Sequence, residues 1–300
     1  MTIETADIPI ERDAVISTWF GVGGRADRLA RPVSVDDIPG LVCDNNPTGN
    51  PAHGPIRILG DGANLLVDDD GVDGLVISLE ECNKIERLDE TTFRVDAGVS
   101  LPKLVADTVR LGLAGLEGLG GIPASVGGAV AMNAGGAWGQ ISDVAQSVRV
   151  VEMSGAVRTI DRADIDFGYR RSGLHDLVIV QAVIALTPGD PETLRNRLKE
   201  VMAHKKRTQP MADNSAGCAF KNPILNGERT SAGALIDKAG CKGLRQGSAH
   251  VSDKHANFIL IDPGGRARDA IELIDIVAQR VLDSQGVTLE REVVIWKRGQ

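Results

Sequence analysis

The run GLEGLGGIPASVGGAVAMNAGGAWG occupies Gly115–Gly139, and nine of its 25 residues are glycine. Ala and Ser make up much of the remainder, and Ile122-Pro123 sets one turn. Glycine reaches backbone conformations closed to other residues and lets a chain approach a ligand closely. A segment with so few bulky side chains can lie flat against a large planar ligand or a neighbouring chain. Tight backbone packing is the plainer alternative, and two dozen residues stretch it. A second Gly-rich element, LGDGANLLVDDDG (Leu59–Gly71), joins a strand end to an apolar run. Successive N–H groups in such a loop form an anion nest suited to a pyrophosphate, and a surface turn reads equally well. No Lys-Ser/Thr follows, so it is not a Walker loop. Asp68, Asp69 and Asp70 suggest a metal at first sight. Consecutive carboxylates on a strand point to opposite faces, however, so a solvated turn is expected. GVGGRA (Gly21–Ala26) has the spacing of a dinucleotide fingerprint, but Pro32 interrupts any helix after it, and a turn between strands is expected.

Around these loops the chain alternates between short β-type runs and a few helices. Val- and Ile-rich stretches predict strands over Ile56–Leu59, Leu75–Leu79, Phe93–Ala97, Ser147–Met153, Leu177–Leu186, Asn257–Ile261 and Arg291–Trp296. Ser100 and Pro102 open a helix whose face is Leu104, Val105, Thr108 and Val109, and Gly112 stops it. Two further helical stripes are Leu194, Leu198, Val201 and Met202, and Ala270, Ile271, Ile274, Val277, Ala278 and Val281 before Gly286. This is mixed α+β rather than a βαβ array. Asn45–Pro55 (NNPTGNPAHGP) reads as a turn-rich surface insert, and Pro188–Pro191 (PGDP) as a linker, so two lobes before about residue 190 and a third after it are expected.

Composition narrows the function. The 300 residues are 25% charged and 42% hydrophobic, ordinary for a globular chain with a sizeable core. Aromatics at 3% argue against stacked single-stranded nucleic acid, and a formal charge of −8 argues against a phosphate backbone. No apolar run is long enough to span a membrane. MTIETADIPIERD at the start is acidic and lacks an apolar signal core, so export is not expected. Cys43, Cys82, Cys218 and Cys241 are scattered, which fits reduced cytoplasmic thiols. The five histidines show no metal spacing, and no metal is assigned.

Four segments resemble the UDP-N-acetylenolpyruvoylglucosamine reductase (MurB) family: the Gly60–Leu66 loop, Gly118–Gly136, FGYRRS at Phe167–Ser172, and SAGCAFKNP at Ser215–Pro223. HANFIL (His255–Leu260) and LEREV (Leu289–Val293) complete a collinear pattern from about Ser17 to Trp296. The resemblance implies an α+β chain with a two-lobed FAD-binding domain of the vanillyl-alcohol-oxidase (PCMH) type plus a C-terminal α+β substrate-binding domain. The expected divisions are 1–80 and 81–190 for the FAD lobes and 191–300 for the substrate domain, the last strand being free to return to the FAD lobes. The short spacing from Arg170 to Arg207 matches the compact type, which lacks an extra subdomain insert.

The implied reaction moves a hydride from the co-substrate NADPH, through noncovalent FAD, onto the enolpyruvyl ether of a UDP-sugar in bacterial peptidoglycan synthesis. Arg170 matches the arginine that grips the substrate carboxylate and the developing enolate. Cys218 stands where many relatives have a general-acid serine; a small buried hydrophobe is the alternative for a free cysteine. Glu292 matches a glutamate near the enolate, and Glu290, two residues back on the same strand face, is its rival. Cofactor contacts are expected from Gly60, Asp61, Gly62, Ala63, Asn64 and Leu65, and from Gly118, Gly121, Ile122, Pro123, Val126, Gly127, Gly128, Asn133, Ala134 and Gly135. Asp61 and Ala63 depart from the family's more usual Gly-Gly-Gly-Ser-Asn, and no His sits in the loop to tether flavin. Tyr169, Arg207, Gln209, Lys221 and Asn222 match substrate contacts. Lys205 and Lys206 are expected to attract the diphosphate or face solvent, and His255 to be structural. A monomer binding neither nucleic acid nor membrane is expected in the cytoplasm. The alternatives are another PCMH-type flavin oxidoreductase, an oxidase, or a non-catalytic nucleotide-binding descendant.

Overall fold

A computed structural model describes residues 8–46 and 53–300. Most of the turn-rich insert and the first seven residues therefore lie outside the described residues. The chain forms two units, one of residues 1–13, 28–61 and 74–204, the other of residues 14–27, 62–73 and 205–300.

Two larger sheets lie mainly in the first unit. The smaller of them has the order Ile10–Val15, Arg25–Ala30, Leu75–Ser78, Ile56–Leu59, with Leu75–Ser78 parallel to both neighbours. All four residues of Leu75–Ser78 are buried, as the apolar run LVI fits for a central parallel strand. Helix α1 (Ile38–Asn45) buries Ile38, Leu41 and Val42 in the same core as Leu75 and Ile77. The larger sheet is antiparallel, in the order Val157–Asp161, Ala145–Val151, Val178–Ala185, Thr92–Asp96, Ile85–Arg87.

Two helices share the larger sheet's core. Helix α2 (Leu101–Arg110) contributes Leu101, Leu104 and Val105, and α3 (Val126–Ala131) contributes Val126, Ala129 and Val130. Gly112 follows α2 at φ +71°, the left-handed conformation that stops a helix with least strain at glycine. The PGDP stretch leads directly into α4 (Pro191–Thr208), whose first turn Asp190 caps by accepting from Thr193 N at 2.7 Å. The two units divide at His204 and Lys205, within α4.

In the second unit, α5 (Ala232–Lys238) and α6 (Ala267–Gln285) share a core with the three-stranded antiparallel sheet Arg245–Gln246, Ala249–Val251, Ile259–Ile261. The periodic stripe of α6 is buried as Ala270, Ile271, Ile274, Val277 and Val281, and Gly286 ends the helix at φ +68°. The strand Val294–Trp296 runs parallel to Leu65–Val67, pairing Val294 with Leu65.

GVGGRA forms the expected turn. A strand follows it rather than a helix, and a Cβ on Gly24 would fall 2.2 Å from Gly71 N. The three aspartates do form a turn, Gly71 N donating to Asp68 O at 2.9 Å, but only Asp70 is exposed. Asp69 accepts from the N–H groups of Ala267 and Arg268 at 2.9 and 3.0 Å, capping α6, while Asp68 and Asp70 both bind the Arg268 guanidinium. Gly71 closes that turn at φ +74°.

Candidate active site

In the first unit the two Gly-rich segments meet. A Cβ on Gly60 would sit 2.4 Å from Ser125 Oγ, so a side chain there would displace that hydroxyl. Ser125 is the N-cap of α3, and its hydroxyl accepts from Gly128 N at 3.3 Å. Leading into it, Gly121 turns at φ +70° and Gly121–Ala124 are half-buried. Gly118 and Gly127 are glycines for packing: added Cβ atoms would fall 2.0 Å from Trp138 O and 2.7 Å from Ala97 Cβ. Val126 and Ala134 are buried in the core, whereas Asp61 is exposed.

Asn133 is only 3% exposed and its side chain is turned to the protein. Its Nδ2 donates to Gln140 Oε1 at 3.2 Å and to Gly168 O at 3.0 Å, and its Oδ1 accepts from Ser142 N. Asn133 therefore holds the start of the arginine loop. Gly168 and Arg171 exchange backbone hydrogen bonds of 3.0 and 3.3 Å, leaving Tyr169 and Arg170 at the corner of a tight turn. The run is not extended, and Arg170 stands at φ +56°, a left-handed conformation unfavourable to a side chain. Its Nη1 donates to Gly135 O at 2.9 Å, and the Tyr169 ring lies 5.4 Å from its guanidinium carbon. Arg171 is exposed and pairs with Asp166.

The second unit assembles the other two candidates. Glu292 N donates to Ala219 O at 2.8 Å and Lys221 N to Glu290 O at 2.8 Å, so Cys218–Lys221 runs antiparallel to Glu290–Glu292. This brings half-buried Cys218 and Glu292 to neighbouring positions. The rival carboxylate separates from Glu292: Glu290 is exposed and pairs with Lys221 Nζ at 2.6 Å. Asn64 Nδ2 donates to Glu292 O at 3.0 Å, and Asn64 O accepts from Val294 N, tying the segment after Gly62 to the glutamate's strand. Gly62 turns at φ +63°, where a Cβ would fall 2.3 Å from Ser17 O. Ala63 is half-buried, and Leu65 begins the strand beside Val294.

Asn222 Oδ1 accepts from Ala232 N at 2.9 Å, at the start of α5. Arg207 is exposed on the last turn of α4, and half-buried Gln209 donates its N–H to Lys205 O. Lys205 departs from expectation, at 9% exposure. The signal lay in α4's stripe, since Lys205 follows Leu194, Leu198 and Val201 at helical spacing, while Met202 is 40% exposed. Burial pushes the His255 imidazole pKa down, and its Nδ1 accepts from Asn257 N, as a neutral ring can. Among the described residues, no group of three or more His, Cys, Asp or Glu gathers to hold a metal.

A family model described as a FAD binding domain matches residues 26–161, and one described as the UDP-N-acetylenolpyruvoylglucosamine reductase C-terminal domain matches residues 209–296. The chain is 39% identical over 279 residues to UDP-N-acetylenolpyruvoylglucosamine reductase of Heliobacterium modesticaldum, covering 92% of this chain and 86% of that protein. With the enzyme of Levilactobacillus brevis it shares 38% identity over 292 residues, 96% of this chain and 93% of that one. The crystal structure of UDP-N-acetylenolpyruvylglucosamine reductase (MurB) from Thermus caldophilus superposes with a TM-score of 0.80 at 39% identity, covering 96% and 99% of the two chains.

Proposed function

The chain belongs to the UDP-N-acetylenolpyruvoylglucosamine reductase (MurB) family, and on that premise we propose that Arg170, Cys218 and Glu292 carry its chemistry. It is a FAD-containing, NADPH-dependent UDP-N-acetylmuramate dehydrogenase, which reduces UDP-N-acetylglucosamine enolpyruvate to UDP-N-acetylmuramate in peptidoglycan precursor synthesis.

The residues present fit a flavin dinucleotide. Gly60, Ser125 and exposed Gly128 gather small residues, a hydroxyl and the N-terminal end of α3, which suits a diphosphate. Gly60–Leu65 would hold the phosphates, and Gly118–Gly128 with Asn133–Gly135 would back the ring system through main-chain atoms. Bound FAD supplies the route by which a hydride from NADPH reaches the enolpyruvyl methylene carbon.

The chain's own residues handle the charge that this addition creates. As the carbon–carbon double bond takes up hydride, its electron pair moves to the adjacent carbon and into the carboxylate as an enolate. Arg170 grips that carboxylate with a permanently charged planar fork, pre-aimed by its bond to Gly135 O. Cys218 then gives its S–H proton to the enolate carbon, as a thiol is acid enough to do. In this reading Glu292, on the segment paired with the acid's own, supports its reprotonation. The observation that carries this reading is the Glu292 N–H to Ala219 O bond, which sets carboxylate and thiol on paired chain segments.

Tyr169, Arg207, Gln209, Lys221 and Asn222 contact the UDP-sugar in this reading, with Lys221 exchanging its Glu290 partner for the substrate. The enzyme acts as a monomer in the cytoplasm, where NADPH and nucleotide sugars are available and its four cysteines remain free thiols. No helix among the described residues is long and apolar enough to cross a membrane. The FAD is dissociable: denaturing the purified protein should release all its flavin into the supernatant. Flavin remaining on the washed precipitate, or none at any stage, would contradict the cofactor assignment.

A further inference from the structure

HANFIL (His255–Leu260) contributes no group to the chemistry described above, yet it supplies a buried amide that grips the acid segment. Asn257 is 2% exposed. Its Oδ1 accepts from Phe220 N at 3.0 Å and its Nδ2 donates to Phe220 O at 2.8 Å. The side chain thus pairs with both polar groups of one residue, as a neighbouring strand would. Its own carbonyl accepts from Ala219 N at 2.8 Å, and Cys218 bridges Phe258 in antiparallel fashion.

The opposite edge of the segment is taken, since Ala219 O and Lys221 N pair with Glu292 and Glu290. Phe220 is 1% exposed, so without the amide its N–H and C=O would be buried and unpaired on this side. A backbone strand cannot take the amide's place, because the chain turns here: Phe258 N returns to His255 O at 2.9 Å. Asn257 is itself anchored, its N–H donating to His255 Nδ1 at 3.3 Å.

Resting on the assignment of Cys218 as the acid, we propose that Asn257 is a positioning residue for proton delivery. Its amide fixes the pleat of Cys218–Lys221, and with it the direction in which the thiol presents its proton. Proton transfer is sensitive to placement, and an error near 1 Å costs about 10²-fold in rate. Asn257→Asp keeps the shape and the acceptor for Phe220 N–H. It also sets a carboxylate oxygen against Phe220 O, where Nδ2 had donated.

The test is a double-mutant cycle on the flavin-loaded protein, with Asn257→Asp and Asn257→Ser each made alone and combined with Cys218→Ala. Melting temperature and the Cys218 alkylation rate are read beside both half-reactions. With Cys218 present, either Asn257 substitution should slow consumption of the enolpyruvyl substrate about 10²-fold. Flavin reduction by NADPH and KM for the sugar nucleotide should stay within about 3-fold of the parent, and the alkylation rate of Cys218 should change. In the Cys218→Ala background the same substitution should cost less than about 3-fold, because the group it aims is gone.

Equal losses in both backgrounds would overturn the positioning role and leave the acid assignment standing. Cys218→Ala turning over like the parent would overturn the acid assignment, and this proposal with it. Failure of both Asn257 variants to fold would also overturn it, since the amide would then be a requirement of the fold alone.

Discussion

Cys218→Ala should slow the half-reaction that consumes the enolpyruvyl substrate by about 10²–10⁴-fold, the usual span for a positioned general acid. FAD content and flavin reduction by NADPH should remain close to the parent's, because no enolate exists at that stage. Cys218→Ser should recover much of the loss, since the hydroxyl restores a donor at nearly the same place. Stopped-flow traces of the two half-reactions measure this directly. A Cys218→Ala variant as fast as the parent would return Cys218 to a packing residue.

A thiol also brings a liability that an alcohol lacks. An alkylating reagent should inactivate the enzyme, and bound sugar nucleotide should protect it. The other thiols divide cleanly as sources of background. Burial, with Asp96, Asp37 and Glu81 adding repulsion, pushes Cys82 up to about 12, and burial pushes Cys241 up as well. Both are poor nucleophiles near neutral pH. Cys43 is exposed, so a Cys43→Ser background isolates the reaction at Cys218.

Arg170→Lys should cost about 2–4 kcal/mol of transition-state stabilisation in the same half-reaction, because one ammonium cannot reproduce bidentate charge-assisted contact with a carboxylate. The backbone adds to the argument. Arg170 is held at φ +56° in a turn fixed by Asn133 Nδ2 on Gly168 O and by Ser172 Oγ on Ala131 O at 2.9 Å. Strain maintained by surrounding structure is a common mark of a functional position. The loss should fall on substrate reduction and spare flavin reduction. Equal slowing of both would give Arg170 a different job.

Local signals in the sequence were enough for much of the architecture. The apolar runs at Ile56–Leu59, Leu75–Ser78 and Val178–Ala185 are strands, and the stripe ending at Gly286 is α6. Helix α1 was hidden because Pro39-Gly40 reads as a breaker, although proline is tolerated in a first turn. The strands Ile10–Val15 and Arg25–Ala30, IERDAV and RADRLA, were masked by charged residues on their exposed positions. Helix α5 lay within a Gly-rich stretch, where Ser231 caps it by accepting from Ala234 N.

For the site, motif order points to Arg170, Cys218 and Glu292, whereas alternation alone leaves Glu292 level with Glu290. Their different partners, Ala219 O for the Glu292 N–H and Lys221 Nζ for the Glu290 carboxylate, depend on chain segments some 70 residues away. Asp69 capping a helix 198 residues on, and Asn257 bonding Phe220 37 residues back, are likewise beyond any local window. Long-range polar pairing has no periodicity to read.

One anaerobic titration decides whether this chain passes electrons from NADPH to an enolpyruvyl sugar nucleotide. The purified yellow protein should lose its visible flavin band with one equivalent of NADPH. Addition of UDP-N-acetylglucosamine enolpyruvate without oxygen should restore the band and yield UDP-N-acetylmuramate in equal amount. Bleaching that only oxygen reverses, with the enolpyruvyl sugar left unchanged, would mark an oxidase and contradict the account.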